Sequence, residues 1–222
     1  MRICQWRNLG RIRYAEALQL QRELVERRKQ GLIFDQFLLL EHPHVITLGR
    51  NGRPEHLLAS PEVLARAGIE FFHTDRGGDI TYHGPGQVVG YPIMDLRDWR
   101  KDVVAYVRGL EQVIIETLAS FGLRGERESG RTGVWIQGRK IAAIGVHVSR
   151  WVTSHGFAFN VSTDLSYFRY IVPCGLTAPV TSMAELGVKA DLTEVHAALV
   201  SAFASVFECE MIGPVIPVEQ AT

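Results

Sequence analysis

Several features are scarce or missing in this chain, and each absence excludes a class of protein. The 222 residues include three cysteines, at positions 4, 174 and 209, too few and odd in number for a disulfide framework. No run of about 18 apolar residues occurs, and the N-terminal segment mixes charged and apolar residues too closely for a secretory signal. We therefore expect a soluble cytoplasmic protein with no membrane partner.

The chain also lacks net charge. Its 24 Lys plus Arg balance 24 Asp plus Glu, so no overall field favours nucleic acid, and we expect no nucleic-acid partner. A docking surface for an acidic protein must then be local. Two basic clusters qualify, and each is equally explained as a solvated face. They are Arg97, Arg100 and Lys101, and Arg124, Arg127 and Arg131.

Motifs for nucleotides and metals are missing as well. No Gly-Lys-Ser/Thr phosphate loop and no strand-loop-helix glycine fingerprint occurs, so we expect no nucleotide cofactor. His42 and His44 flank a proline without a third ligand nearby, so we assign no metal site to them.

Hydrophobic periodicity predicts three helices, at about 13–30, 102–122 and 192–208. The second begins at Asp102, a residue suited to an N-cap, and Asp191 begins the third as part of a capping pair with Glu194.

Short β-rich runs fill the space between these helices. A hairpin is predicted at Gly138, and Pro92 assigns the run QVVGYPI to an edge or an irregular strand end. Strands in uninterrupted groups favour an α+β fold over a doubly wound parallel sheet.

The length and the 46% hydrophobic content are sufficient for one core. We expect a single catalytic domain over residues 1–212, in which about 185–212 form a small C-terminal lobe as an alternative. Residues 213–222 contain two prolines and no helical pattern, which predicts a flexible tail.

The densest local signal is RGGDITYHGPGQVVGYP, residues 76–92, with five glycines and two prolines in seventeen positions. Glycine lets a backbone approach a ligand closely, so two turns around Asp79–His83 predict a pocket lined by main-chain amides. A pair of loop turns without a ligand explains the composition equally well.

One cysteine stands out as a candidate nucleophile. Cys174 lies between a proline and a glycine in YIVPCGLTAP, a stiff turn that would aim a thiolate, whereas Cys4 and Cys209 fit buried structural positions. A thiol with a pKa of about 8.5 needs a cation or base nearby. The candidates are His83, His147, His155 and Lys140. A histidine is the more familiar partner, although structural histidines and a solvated lysine explain these residues too.

Four motifs in order complete the pattern: RGGDITYHGPGQ, TGVWIQGRKIAAIGVHV, HGFAFNV and PCGL, with EHPHVITLGR upstream. Together they closely resemble the lipoyl(octanoyl) transferases of lipoate biosynthesis over most of residues 36–185. The resemblance implies a fold similar to the biotin and lipoate protein ligase catalytic domain, with a mixed β-sheet flanked by helices.

The resemblance also implies a reaction. The octanoyl group of octanoyl-acyl-carrier protein would pass to Cys174, and then to a lysine on a lipoyl domain of a 2-oxoacid dehydrogenase or the glycine cleavage H protein. Lys140 corresponds to the family's lysine that lowers the pKa of the cysteine. Because a thioester is already activated, no ATP and no cofactor are needed. The implied substrate pocket comprises Arg76, Gly77, Gly78, Asp79, Ile80, Thr81, Tyr82, His83, Ala143, Ile144, Gly145, Gly156, Phe157 and Ala158.

Side-chain size adds a hypothesis for the acyl slot. Small residues at Ala142, Ala143 and Gly145, opposite Gly77 and Gly78, would leave room for eight carbons. Two rival functions remain: an ATP-dependent ligase of the same fold, which does not need Cys174, and a catalytically silent acyl-binding module.

Overall fold

The structure is a computed structural model that describes residues 2–172 and 179–213. Its helices are α1 Tyr14–Lys29, α2 Pro61–Arg66, α3 Val103–Ser120 and α4 Leu192–Phe207. Its strands are β1 Arg2–Arg11, β2 Asp35–Glu41, β3 Val45–Leu48, β4 Glu70–His73, β5 Ile80–His83, β6 Gln87–Ile93, β7 Glu126–Glu128, β8 Arg131–Ile136, β9 Arg139–Ser149, β10 Val152–Asn160 and β11 Cys209–Ile212.

Two sheets organise these strands. The larger has the order β11-β1-β2-β6-β10-β9-β8-β7, and the smaller has the order β4-β3-β5. Strand β1 runs parallel to both β11 and β2, whereas the other pairs of the large sheet are antiparallel. The predicted α+β fold with a mixed sheet flanked by helices is therefore confirmed.

Helices cover both faces of the large sheet. On β2, Phe37 and Leu39 pack into the core beneath α3 and α4, while Leu38 and Leu40 pack against α1. All four side chains are fully buried. This explains why the strand is apolar at successive positions, since alternation is lost when both faces of a sheet are covered.

The three predicted helices are confirmed as α1, α3 and α4. The Asp102 side chain accepts a hydrogen bond from the backbone N–H of Ala105 at 2.9 Å, and Asp191 and Glu194 form a reciprocal capping box. Helix α2 and strand β1 were not predicted, because α2 has only six residues and β1 mixes charged with apolar side chains.

The assignment of QVVGYPI to an edge strand was wrong, since β6 lies between β2 and β10 in the large sheet, whereas the alternative of an irregular strand end is confirmed on the β10 side. Pro92 pairs with Phe37 of β2, but pairing with β10 stops at Gly90. On that side β10 leaves the regular path at His155, where φ is +56°. The proline occupies this interruption, so its missing N–H costs no ladder hydrogen bond.

The hairpin predicted at Gly138 is confirmed between β8 and β9. Gln137 and Gly138 have φ of +50° and +71°, the positive pair that a tight two-residue turn requires. This turn leads directly to Lys140.

The C-terminal part packs against the rest of the molecule. Helix α4 packs against α3, and β11 extends the large sheet beside β1. The division into a domain and a lobe stays a prediction, and the predicted tail lies almost wholly outside the described residues. No helix in residues 2–172 and 179–213 is long and apolar enough to cross a membrane.

Candidate active site

Three segments that are distant in the sequence form one pocket, which we call the slot. Their members at the slot are Arg76, Gly78, Asp79, Ile80, Thr81 and His83 from the glycine-rich segment, Ala143, Ile144 and Gly145 from β9, and Gly156, Phe157 and Ala158 from β10. The space between these walls is about 500 Å³, including the opening to solvent.

Gly77 and Tyr82 are the two members of the predicted set that do not line the slot. The Gly77 N–H instead donates to the Val146 carbonyl at 2.8 Å, which fastens the glycine-rich segment to β9. The Tyr82 ring lies against Tyr167 and Phe168 in a separate aromatic cluster.

Glycines allow this close approach of the loop to the sheet. A Cβ atom at Gly145 would lie 2.8 Å from the Gly77 carbonyl oxygen, and one at Gly156 would lie 2.1 Å from that of Gly90. Neither distance is tolerable for a side chain, so each position requires glycine.

The Arg76 side chain attaches the glycine-rich segment to strand β3. Its buried guanidinium donates to the Thr47 carbonyl at 2.7 Å, to the Thr47 hydroxyl at 2.9 Å and to the Gly77 carbonyl at 3.1 Å. The arginine thereby fixes the backbone of the loop on strand β3.

Aromatic residues contribute to the same slot. Tyr14 and Tyr91 line it. Neither was predicted from the sequence, because Tyr14 lies far upstream of the motifs and Tyr91 lies just after the motif RGGDITYHGPGQ. The Tyr91 hydroxyl donates to Nε2 of His42 at 2.8 Å, while Nδ1 of His42 donates to the Ile12 carbonyl at 2.8 Å. Burial lowers the pKa of His42 to about 4, so this histidine is neutral.

His83 is neutral for the same reason, since burial lowers its pKa to about 3. The Gln87 amide nitrogen donates to the Tyr82 carbonyl and to Asn160 Oδ1, which leaves Gln87 Oε1 to accept from His83 Nδ1 at 2.8 Å. This network assigns the proton to Nδ1, so Nε2 of His83 is an acceptor at the slot.

His147 and His155, two of the candidate bases, are paired with Asp75. Nε2 of His155 lies 2.8 Å from Asp75 Oδ1, and Nε2 of His147 lies 3.7 Å from Oδ2. The hydrogen bond with His155 holds the pKa of Asp75 well below its usual range, and burial lowers the pKa of His147. Asp75 precedes Arg76, so this cluster holds the glycine-rich segment against β9 and β10.

Lys140 lies in a second, wider space of about 1110 Å³, which we call the cleft. Gly78, Asp79, Ala143 and Ile144 line both the slot and the cleft, so the two open into each other. Lys140 is only 9% exposed, and its amine stands 4.7 Å from the centre of the Trp135 ring. This is a cation–π contact in a largely desolvated place.

Cys174 falls in 173–178, outside the described residues, but the chain on both sides of it is described. Before it, the Val172 N–H donates to the His56 carbonyl at 2.8 Å. After it, the Lys140 N–H donates to the Pro179 carbonyl at 2.9 Å, and the Lys140 carbonyl accepts from Thr181 at 2.9 Å. Both flanks are thus attached to residues of the cleft.

The other two cysteines are buried in β1 and β11. A hydrogen bond with Cys209 and burial raise the pKa of Cys4 well above its usual value. Their location fits the structural assignment made from the sequence.

His56 and Asp79 form a pair in the cleft that the sequence did not predict. Nδ1 of His56 lies 2.5 Å from Asp79 Oδ2, while Oδ1 accepts from the N–H groups of Ile80 at 2.7 Å and Arg53 at 3.2 Å. Asp79 therefore ties residues 53–56 to the glycine-rich segment. An isolated histidine in NGRPEH carries no motif, and its partner is 23 residues away.

No set of three His, Cys, Asp or Glu side chains within 2–172 and 179–213 is arranged to hold a metal ion. His42 is occupied as described above, and Nδ1 of His44 lies 2.8 Å from the Tyr82 hydroxyl.

Solved structures identify the class of fold. A lipoate protein ligase of T. acidophilum with bound lipoic acid superposes with a TM-score of 0.78 at 15% identity, covering 96% of this chain and 89% of the other. A biotin protein ligase of Aquifex aeolicus superposes with a TM-score of 0.52 at 10% identity, covering 94% and 69%. The fold is that of the lipoate and biotin ligase catalytic domain.

Sequence relatives identify the family within this class of fold. The lipoyl protein ligase A/B catalytic domain matches residues 13–204. The octanoyltransferase of Solibacter usitatus is 66% identical over 96% of this chain and 96% of its own length. This chain belongs to the lipoyl protein ligase A/B catalytic domain family, and within it to the octanoyltransferases. The resemblance seen in the motifs is confirmed.

Proposed function

We propose that this protein transfers the octanoyl group of octanoyl-acyl-carrier protein, through a thioester on Cys174, to the lysine of lipoyl domains. The acceptors are the lipoyl domains of 2-oxoacid dehydrogenases and the glycine cleavage H protein. The octanoyltransferase relatives support the acyl group, and the slot offers an apolar space beside the cleft.

The observation that carries the proposal is the attachment of both flanks of segment 173–178 to the cleft. The backbone of Val172, two residues before the cysteine, is hydrogen-bonded to that of His56, and the backbone of Pro179 is hydrogen-bonded to that of Lys140. Two residues of chain span at most about 7 Å, so the segment that carries the thiol starts at the wall of the cleft. This supports Cys174 as the nucleophile and Lys140 as its partner.

The first half-reaction exchanges one thioester for another. The Cys174 thiolate attacks the carbonyl carbon of the octanoyl thioester and forms a tetrahedral oxyanion. Collapse of this intermediate breaks the bond to the donor sulfur, which leaves as a thiolate and takes a proton from the Lys140 ammonium. In the resting enzyme that ammonium favours the thiolate form of Cys174.

The second half-reaction forms an amide. The acceptor lysine, as a neutral amine, attacks the acyl-cysteine carbonyl and loses a proton to the Lys140 amine. The Cys174 thiolate is the leaving group, so the enzyme returns to its starting state.

Two backbone amides are placed to stabilise the oxyanions. Gly78 and Asp79 line both the slot and the cleft, and their N–H groups donate to no acceptor among residues 2–172 and 179–213. Preorganised donors at such a junction stabilise a developing negative charge by several kcal/mol, about 3 for a single donor. We assign the oxyanion site to this pair.

The test is intact-mass analysis after incubation with octanoyl-acyl-carrier protein and no ATP. We expect a stoichiometric octanoyl adduct that is absent in Cys174→Ser and retained in Cys209→Ser, the matched control. An adduct that persists in Cys174→Ser would refute the assignment.

The same experiment separates the rival functions. An ATP-dependent ligase would give no adduct and would need ATP and free octanoate to modify a lipoyl domain. A silent binding module would give neither adduct nor product, and either result would overturn the proposal.

A further inference from the structure

The cleft holds more positive charge than the two half-reactions use. Three cationic side chains, Arg53, Arg131 and Lys140, line it together with His56, and Asp79 is the one carboxylate among its described lining residues. Both Asp79 oxygens already accept hydrogen bonds, from His56 and from two backbone amides. Two arginines therefore remain without an assigned task in catalysis.

Arg53 is held at the cleft by its backbone, since its N–H donates to Asp79 Oδ1 at 3.2 Å. The residue is exposed, and its guanidinium forms no ion pair or hydrogen bond with any described residue. Its five N–H donors are therefore available to a ligand.

Arg131 stands on the other side of the cleft, at the start of β8. Its guanidinium carbon lies 5.5 Å from the centre of the Trp135 ring, the same ring that Lys140 contacts. It donates to Glu128 at 2.9 Å, and its side chain is still 41% exposed. Arg131 lies four residues before Trp135 on the same strand, a distance of about 13 Å in an extended chain. Its long side chain therefore reaches along β8 to contact that ring.

The chemistry of the proposed substrates indicates which chemical group these two arginines bind. The octanoyl chain is neutral, and the acceptor lysine is itself a cation that these arginines repel. The donor thioester, in contrast, sits at the end of a pantetheine arm joined to the carrier protein by an anionic phosphodiester. Arginine is the side chain best suited to phosphate oxygens, because its planar fork forms paired hydrogen bonds.

We infer that Arg53 and Arg131 bind the phosphodiester of the carrier protein's pantetheine arm while its thioester lies at Lys140. The inference rests on the proposed function and adds to it a recognition site for the donor. The site selects a phosphopantetheine thioester over a neutral thioester of the same acyl group.

Donors that differ only in the phosphate test this directly. Octanoyl-pantetheine lacks the phosphate, octanoyl-phosphopantetheine carries it, and octanoyl-acyl-carrier protein adds the protein. The rate of adduct formation on Cys174 is measured for each donor with the wild type, Arg53→Gln, Arg131→Gln and the double variant. Arg66→Gln is the control, since Arg66 is exposed, lies outside the cleft and belongs to neither basic cluster.

We expect the double variant to lose at least about tenfold in kcat/KM with both phosphate-bearing donors, equivalent to about 1.4 kcal/mol. With octanoyl-pantetheine the loss should be below about twofold, and Arg66→Gln should match the wild type throughout. Equal losses with all donors would overturn the inference, because the arginines would then act through the fold. A loss confined to the carrier protein would also overturn it, by moving the contact to the protein surface. No adduct with any donor on the wild type would instead sink the proposed function, and the inference with it.

Discussion

Lys140 combines burial with a contact to an aromatic ring. Its side chain is only 9% exposed, and its amine stands over the Trp135 ring. In the proposed mechanism this amine is a cation in the resting enzyme and a base in the second step.

Replacing this amine tests both tasks. We predict that Lys140→Met lowers kcat/KM at pH 7 by at least about 100-fold, the scale of general acid–base catalysis. Adduct formation should recover partly as the pH approaches about 8.5, where a free thiol ionises unaided. The measurement is the pH profile of adduct formation, with the exposed Lys189→Met as the control. A profile identical to the wild type would exclude Lys140 from catalysis.

Gly78 and Gly138 form a matched pair for the oxyanion site. Their φ angles are +83° and +71°, so alanine costs each about 1 kcal/mol of stability by backbone strain. Only Gly78 lies at the junction of slot and cleft. Alanine keeps the N–H but is strained at this φ, so we expect Gly78→Ala to displace the amide and lose at least about tenfold in adduct formation. Gly138→Ala should retain adduct formation, at a similar unfolding midpoint in urea. Equal activity in both variants would contradict the assignment.

At the residue scale, the sequence predicted the members of the site that belong to motifs. The glycine-rich segment and residues 143–145 and 156–158 do meet in one slot. His56, Tyr14 and Arg53 could not be found, because each depends on a partner far along the chain and lies in a segment without a pattern of its own.

At the scale of elements, the strands around Lys140 depend on a buried carboxylate of α3. Glu111 is fully buried and accepts from Arg108 at 2.6 Å, from Arg127 at 3.0 Å and from the Gly133 N–H at 3.1 Å. Gly133 lies beside Lys140, since a Cβ there would be 3.4 Å from Lys140 Cε. Helix α3 thus supports the hairpin that carries the proposed catalytic amine.

We predict that Glu111→Gln lowers the free energy of unfolding by about 1–3 kcal/mol. The larger cost of a fully buried pair does not apply, because both arginines are partly exposed. Urea unfolding provides the measurement, and Glu116→Gln on the same helix is the control. If the two variants were equally stable, Glu111 would not hold the hairpin.

Two buried histidines, His83 in β5 and His42 directly after β2, make the stability of the fold depend on pH. The pKa values of about 4 for His42 and about 3 for His83 lie below about 6.5, the value in an unfolded chain. Between these limits the unfolded chain binds protons that the folded protein does not, so stability falls as the pH drops from about 6.5 towards 4.

The slope of this fall is testable. One proton corresponds to about 1.4 kcal/mol per pH unit, and we expect His42→Gln to remove most of one such contribution. Unfolding free energies at pH 7.5, 6 and 5 provide the measurement, and the exposed His73→Gln is the control. An unchanged slope in His42→Gln would show that this histidine is not the source.

Long elements with a regular apolar pattern were predicted from the sequence, whereas short or irregular ones were not. Helices of sixteen to eighteen residues with strong periodicity were predicted, and two of the three were predicted with their N-caps. Pro92 correctly indicated an irregular end of β6 but wrongly suggested an edge position, because a local rule on proline cannot reveal the order of strands in the sheet.

At the scale of the whole molecule, one sheet carries the slot and positions the cleft between its β8–β9 hairpin and the glycine-rich segment. Strand β11 closes one edge beside β1, and α4 packs on α3. We propose that residues 1–212 form one catalytic domain on this basis. Composition and element order predicted the fold class, whereas strand order depends on pairings between distant segments that periodicity does not encode.

The central claim is that the octanoyl group passes through a thioester on Cys174. The most direct measurement isolates the octanoylated enzyme, removes the donor and adds a lipoyl domain without ATP. We predict that the octanoyl mass moves from enzyme to domain in a single turnover, at a rate no slower than steady-state turnover. An octanoyl-enzyme that stays intact, or that transfers more slowly than the overall reaction, would contradict the claim.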